Sequence, residues 1–404
     1  MKHALLSLAL SATMFTNAQT FTTWTASDGL PSSNLRDVAV AADGTIWLAT
    51  QLGVAHFDGS TFTTHNTTTH PGLADNSISA IAVMANGDVW AGTDVGVSVF
   101  NGSSYTSYTT ADGLSDNQVN NIKQAPNGDV WIGTINGVTR YSGSTFTAFG
   151  SPDIPFGGVT YIAFAANGEV WLGGGLGGVI IYNGSAFSLL TTADGLVSNK
   201  IRSIAFDAGQ YKWVGTAKGI SVFDDANIHI ADHTRPFILP APDTLNPVTD
   251  VAIDGQGVLW AAVYVDYLVT EGGISAYDGT WHQYETVDGL AGPNVRRIAI
   301  DDNDDVWVTT STGLTRISGY HVGIAEQAAD ASFTLFPNPA TDQVTIQLAS
   351  ITNGSEVVRI LDAQGRVVHS ERINTRAVID VSAFDAGIYF LQVGGGSKRF
   401  VIVR

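Results

Sequence analysis

Seven tryptophans at near-even spacing, glycine-centred turn dipeptides between short β-branched and aromatic runs, and an unpartnered strand-like segment ahead of the first repeat predict an all-β chain. The predicted architecture is a seven-bladed β-propeller closed by its own N-terminal strand, followed by a small Ig-like β-sandwich. The tryptophans are Trp47, Trp90, Trp131, Trp171, Trp213, Trp260 and Trp307, separated by 43, 41, 40, 42, 47 and 47 residues. A period near 43 with four strands per unit is the signature of a blade, with a right-handed solenoid as its competitor.

The elements follow in chain order. Residues 1–18 read as an export signal: Lys2 and His3 give a short positive region, Ala4 to Phe15 an apolar stretch, and Thr16-Asn17-Ala18 a cleavage point. The apolar run is shorter than the roughly 20 residues a membrane-spanning helix needs. Then comes the orphan run Phe21-Thr22-Thr23-Trp24-Thr25, which matches the fourth strand seen later as Phe62-Thr63-Thr64. The third repeat shows the grammar best: Asp112-Gly113-Leu114, Val119 to Ile122, Asn127-Gly128-Asp129-Val130-Trp131, Gly137-Val138, Tyr141-Ser142-Gly143 and Thr145-Phe146-Thr147. Asn-Gly and Asp-Gly favour tight turns because both residues tolerate positive φ. The last copy stops after Arg316-Ile317-Ser318-Gly319 and lacks a fourth strand. The orphan run therefore completes it, closing the ring and hiding two edges. The propeller is assigned residues 19–322.

Residues 323–332 are small and polar, as in a linker, and charge changes sharply across them. The chain of 404 residues has a formal charge of −18, with −19 on residues 1–332 and +1 on residues 333–404. An acidic body argues against holding nucleic acid or an anionic membrane by bulk electrostatics. The absence of cysteine excludes disulfides and thiolate chemistry, so an exported chain of this kind is stabilised by packing alone. In residues 333–404, alternation such as Val344-Thr345-Ile346-Gln347-Leu348 predicts the small sandwich.

The first strand of each blade carries the main chemical signal. Two residues before its recurring apolar position stand Arg36, Ser79, Asn120, Thr160, Arg202, Thr249 and Arg296. The next position reads Asp37, Ala80, Asn121, Tyr161, Ser203, Asp250 and Arg297. Residues 21–322 contain eleven Lys and Arg, and four of them fall here. Arginines gathered at the axis of an acidic disc suit an anionic or polyhydroxylated ligand, since each guanidinium is a fork of donors. Internal pairing with Asp37 and Asp250 is the competing role. Two repeats are longer than the rest on the ligand face, at 227–245 (His229, His233, Arg235) and 264–271 (Tyr264, Asp266, Tyr267), and are expected to form one rim.

Catalytic motifs are missing: there is no zinc-protease motif, nucleophile elbow or phosphate loop. Gly173 to Gly178 fits a dinucleotide fingerprint formally but lies where a strand-to-strand turn is expected. His229 and His233 lack a third metal ligand, and Asp301 to Asp305 reads as a solvated turn rather than a calcium loop. No cofactor or metal is implied.

The repeat resembles the bacterial two-component-regulator propeller repeat, through Asp-Gly-Leu, the later Asn/Asp-Gly-x-Ile/Val-Trp, and Gly-Val before an aromatic plus Asp/Asn-Gly. The likeness covers nearly all of residues 21–322. In that family such propellers often form periplasmic sensors of hybrid histidine kinases that detect glycan fragments. This sequence shows no transmembrane helix, kinase core or receiver, so no signalling output is implied.

The tail resembles the type A C-terminal sorting domain of the type IX secretion system. The carrying residues are Phe336-Pro337-Asn338-Pro339-Ala340, Asp362 to Val368 with Gly365, Ala386-Gly387-Ile388-Tyr389, and the last strand from Lys398 to Val403. The resemblance implies the type IX machinery as a partner and passage across the outer membrane. It also implies removal of the tail, with release or attachment to surface lipopolysaccharide. The expected function is a secreted or surface-displayed, non-catalytic binding module for a glycan fragment or extracellular partner. Arg36, Arg202 and Arg296 would hold the ligand with support from Tyr161, Tyr264 and Tyr267. The alternative is a polysaccharide lyase or hydrolase acting at the same channel mouth.

Overall fold

The computed structural model describes residues 19–155, 157–239, 246–265, 271–320, 333–337, 340–348, 356–361, 367–393 and 396–403. The expected export signal and linker lie outside these residues. The chain divides after His321 into two compact units.

Among the described residues the first unit holds seven four-stranded antiparallel sheets. In blade one, Leu35–Val40 is innermost, followed outward by Ile46–Thr50, Gly53–Phe57 and Phe62–His65. Blades two to six repeat the plan over residues 80–108, 119–149, 159–190, 201–233 and 248–284. Blade seven comprises Val295–Ile300, Val306–Thr310 and Leu314–Ser318, and its outermost strand is Thr20–Trp24, paired from Thr20 with Ser318 to Trp24 with Leu314. The first blade's inner strand packs against that of blade two on one side and of blade seven on the other. The orphan run thus has the predicted partner.

The repeated residues are structural for stated reasons. Each tryptophan sits on the second strand and packs onto the next blade: Trp131 on Tyr182 at 5.7 Å between ring centroids, Trp307 on Phe57 at 6.1 Å across the seam. Six are buried, and Trp213 is half-buried. Opposite them on the innermost strands stand Ala39, Ala82, Lys123, Ala163, Ala205, Ala252 and Ala299, one per blade. In Asp-Gly-Leu the aspartate closes a local turn, as where Asp28 Oδ2 accepts from the Thr25 amide at 2.8 Å, and the leucine is buried. The glycine must be a glycine: Gly289 has φ +121°, and a Cβ there would meet Phe21 Cβ at 2.6 Å.

The second unit forms two sheets. One is Phe333–Phe336, Gln343–Leu348 and Arg376–Asp380; the other is Val367–Ile373, Glu356–Leu361, Gly387–Val393 and Gly396–Ile402, each in spatial order. Val344, Ile346, Val358, Ile360, Leu391 and Phe400 share one core, as in a sandwich. Lys398 Nζ donates to the Phe333 carbonyl at 2.6 Å and lies 5.1 Å from that ring, tying the last strand to the first. Of the other sorting positions, Pro337 follows the first strand and Gly387 opens a strand, while Asn338, Pro339 and Gly365 lie outside the described residues.

Candidate functional site

The axis of the disc holds two cavities separated by a layer of polar side chains. The upper one, of about 560 Å³, opens where the inner strands begin and is lined by Arg36, Lys200, Arg202, Tyr264, Asn294, Arg296 and Arg297, with Thr160, Gly175, Ile201 and Thr249. None of its described lining residues is acidic. Arg36, Arg202, Arg296, Arg297 and Tyr264 are therefore brought together as the sequence suggests. Lys200 and Asn294 were missed. Both lie two residues before a mouth arginine, a register position that also holds Asn34, Ser77 and Gln118.

The mouth position has a second duty. Arg36 Nη1 donates to Ser77 Oγ at 3.0 Å and the Ile78 carbonyl at 3.3 Å. Ser79, Asn120 and Thr249 likewise donate to the carbonyls of Val119, Val159 and Val295 at 2.6, 3.1 and 2.8 Å. Arg296 Nη1 donates to Asn34 Oδ1 and the Leu35 carbonyl at 2.7 and 3.0 Å, joining blade seven to blade one. In each case the partner belongs to the following blade. These side chains clasp blades together, and the arginines retain further donors for the cavity. Burial, then the neighbouring Arg36, lowers the Arg296 pKa from its ordinary value.

The next position forms the separating layer. Arg297 Nη1 donates to the Thr249 carbonyl at 3.2 Å, and its Nε lies 3.9 Å from Asp37 Oδ1. Burial works against the cation, but Asp250 and Asp37 outweigh it and raise its pKa. Each aspartate also reaches the next blade: Asp37 Oδ2 accepts from the Ile81 amide and Asp250 Oδ2 from the Ile298 amide, both at 2.9 Å. Burial pushes the Asp250 carboxyl up, opposed by Arg297. Internal pairing therefore accounts for Arg297.

Several expectations need correction. Tyr161 is not at the mouth: it is buried beneath Arg297, whose guanidinium carbon is 5.7 Å from the ring centroid, and it lines the lower cavity. Its hydroxyl pKa is raised well above normal by burial and then by Asp250. His229 to His233 is no loop but the outermost strand of blade five, with Ile220 opposite His233. There His233 stacks on Trp213 at 5.5 Å, the place taken by Phe149 in blade three. Asn227, in left-handed conformation with φ +64°, lies in the turn before it, and the strand itself is irregular between His229 and Ala231. Arg235 is exposed beyond that strand and does not line the cavity, so no common rim with Tyr264 forms among the described residues. Asp266 and Tyr267 lie outside them.

Two further segments are turns, as expected. Gly174 ends one strand and Val179 begins the next. Asp301 accepts from the Asn303 and Asp305 amides and from Trp307 Nε1 at 2.9, 3.0 and 2.9 Å, while Asp305 pairs with Arg316. Among the described residues no group of three His, Asp or Glu is placed to hold a metal ion, and no helix is long and apolar enough to cross a membrane.

Comparison with known proteins agrees with this anatomy. Residues 334–403 match the secretion system C-terminal sorting domain, and residues 113–136 the two component regulator propeller. A search of curated proteins finds no significant match. Among solved structures the chain is similar to PorZ, a surface component of the type IX secretion system of Porphyromonas gingivalis, with 21% identity and a TM-score of 0.60 over 93% of this chain and 60% of PorZ. The chain thus spans about three fifths of that protein. It is also similar to a streptogramin B lyase (13%, TM-score 0.59, 74% of this chain and 97% of that one) and to virginiamycin B lyase from Staphylococcus aureus (12%, TM-score 0.58, 74% and 99%). At these identities the likeness is one of fold.

Proposed function

We propose that residues 19–322 form a binding module whose ligand is an anionic or polyhydroxylated glycan fragment, held in the upper cavity without turnover. The sorting domain marks the chain for export by the type IX system, to the cell surface or the medium. On this reading residues 1–18 are removed during export and residues 333–404 address the secretion machinery. The observation that carries the binding proposal is the convergence of Arg36, Lys200, Arg202 and Arg296 on one cavity with no acidic described lining. Such a lining attracts carboxylated or sulfated sugars and donates to hydroxyls, and the cavity suits one or two sugar units. Tyr264 lines the same cavity.

Glycan-array screening followed by calorimetry on the full chain tests this reading. Acidic oligosaccharides should bind, and Lys200→Ala with Arg202→Ala should weaken them at least about tenfold, as expected for lost charge-assisted hydrogen bonds. Undiminished binding in that variant would remove the site. New reducing ends or unsaturated products in the same mixtures would instead assign the lyase or hydrolase alternative.

A further inference from the structure

Most of the eleven Lys and Arg in residues 21–322 are already committed. Arg36, Arg296 and Arg297 bond to adjoining blades. Arg140 lies 3.9 Å from Asp129, Lys212 Nζ donates to the Asp224 carbonyl at 2.6 Å, and Arg316 pairs with Asp305. Lys123, in the lower cavity, is a counter-charge to Asp250, and Arg202 lines the upper cavity. The other three, Lys200, Lys218 and Arg235, are exposed, and their side chains make no hydrogen bond or ion pair with a described residue. All three belong to blade five.

Their places follow one another outward. Lys200 lines the upper cavity and immediately precedes the inner strand Ile201–Phe206. Lys218 lies in the turn between the second and third strands, Lys212–Thr216 and Gly219–Phe223, and the amide of its neighbour Ala217 donates to the Lys200 carbonyl at 3.0 Å. Arg235 follows the outermost strand His229–His233. There Thr234 abuts Gly219, where a Cβ would meet Thr234 Cα at 2.8 Å. The three positions therefore step from the lip of the cavity to the rim along one end of the blade, a span of roughly 14 Å at ordinary strand spacing. No other blade carries a charge at any of these register positions; blade one has Asn34, Leu52 and Thr67. Packing of the repeat thus does not call for the cations. Two carboxylates of the same region are engaged locally, Asp194 by the Thr191 amide at 2.9 Å and Asp232 by Ser221 Oγ at 2.7 Å.

We infer that this line extends the upper site and that the ligand is a linear polyanionic glycan. One end sits in the cavity, and the acidic groups of later units lie outward over Lys200, Lys218 and Arg235. The inference rests on the glycan reading proposed above and adds a chain length, a charge pattern and a direction to it. Elsewhere the acidic body repels such a chain, so the three cations give it one path from the axis. Their heads stand in water on long stems, which suits carboxylates or sulfates repeated along a chain better than one fixed group. Each exposed contact is weak alone, and the gain comes from joining several in one molecule.

The test is calorimetric titration of the full chain with digalacturonate, hexagalacturonate and hexaglutamate. Hexagalacturonate should bind at least about tenfold more tightly than digalacturonate, as expected for linked contacts. Lys218→Ser with Arg235→Ser should erase that gain and leave digalacturonate binding unchanged, whereas Lys200→Ala with Arg202→Ala should weaken both sugars. Lys218 and Arg235 are exposed, so their variant should fold, and unchanged melting would verify this. A hexamer no tighter than the dimer, or a gain that survives in the Lys218 and Arg235 variant, overturns the inference while leaving the cavity reading in place. Failure of both sugars to bind overturns the cavity reading and this inference with it. Hexamer binding that ignores the Lys200 and Arg202 variant would confine the ligand to the rim, and tighter binding of hexaglutamate would make the partner an acidic polypeptide. Either result overturns the inference.

Discussion

Arg297 of the seventh blade holds its Nε 3.9 Å from Asp37 Oδ1 of the first, across the seam where the ring closes. The same guanidinium lies over Tyr161 of the fourth blade and offsets the charge of Asp250 in the sixth. Residues of four blades thus meet at the axis around one guanidinium.

Removing that cation should be costly. Arg297→Met leaves Asp37 and Asp250 buried without their guanidinium, and breaking a buried ion pair on one side costs about 3–5 kcal/mol. Urea unfolding should show a loss in this range, with part of it recovered when Asp250→Asn is added. A loss below about 1 kcal/mol in the single variant would mean that the layer adds little to cohesion.

The mouth cations separate by role. Arg296 donates to blade one, so Arg296→Met should lower stability by about 1–3 kcal/mol through lost charge-assisted bonds. The Lys200 side chain is exposed and makes no hydrogen bond with a described residue, so Lys200→Ala should leave stability within about 0.5 kcal/mol. Thermal melting beside glycan titration checks both. Equal destabilisation by the two variants would refute the division.

Trp131 is buried against Phe149 at 5.9 Å and Tyr182 at 5.7 Å, while Trp213 is half-buried. Trp131→Ala should cost about 3–5 kcal/mol, the range for a large aromatic removed from a packed interior. Trp213→Ala should cost less, by at least about 1 kcal/mol, since less apolar area leaves water at that site. Parallel denaturant curves decide the order, and a reversed one would contradict the packing described.

Blades were legible in the sequence because each structural need recurs seven times. A tryptophan on the second strand and a glycine packed against the next fourth strand leave marks at a fixed period. The mouth arginines were legible for the same reason, though their bonds to the following blade were not. Blade five's outer strand was missed because His229-Ile230-Ala231-Asp232-His233 replaces the aromatic-threonine run, even though His233 does an aromatic's work on Trp213. The contact of Tyr161 with Arg297 left no mark at all. It joins strands more than 130 residues apart, and only the curvature of the ring brings them together.

Blade one supplies a pH dependence. His65 occupies the position of Phe149, nearly buried, stacked on His70 at 4.0 Å and facing Trp47, Phe100 and Tyr105, with Nδ1 3.0 Å from the Tyr105 hydroxyl. Burial, then the charges of His70 and His56, depresses its pKa from 6.5 to about 4. The folded protein therefore holds this imidazole neutral between those values, while the unfolded chain takes up a proton. Stability from this site is complete above pH 6.5 and is lost as pH falls toward about 4, amounting to roughly 1–3 kcal/mol by linkage. His65→Phe keeps the ring packing and removes the proton uptake, so its stability should fall less steeply than that of the natural sequence over this window. Denaturant unfolding at pH 7, 6, 5 and 4.5 reads the difference directly, and parallel curves for the two proteins would exclude His65 as the source.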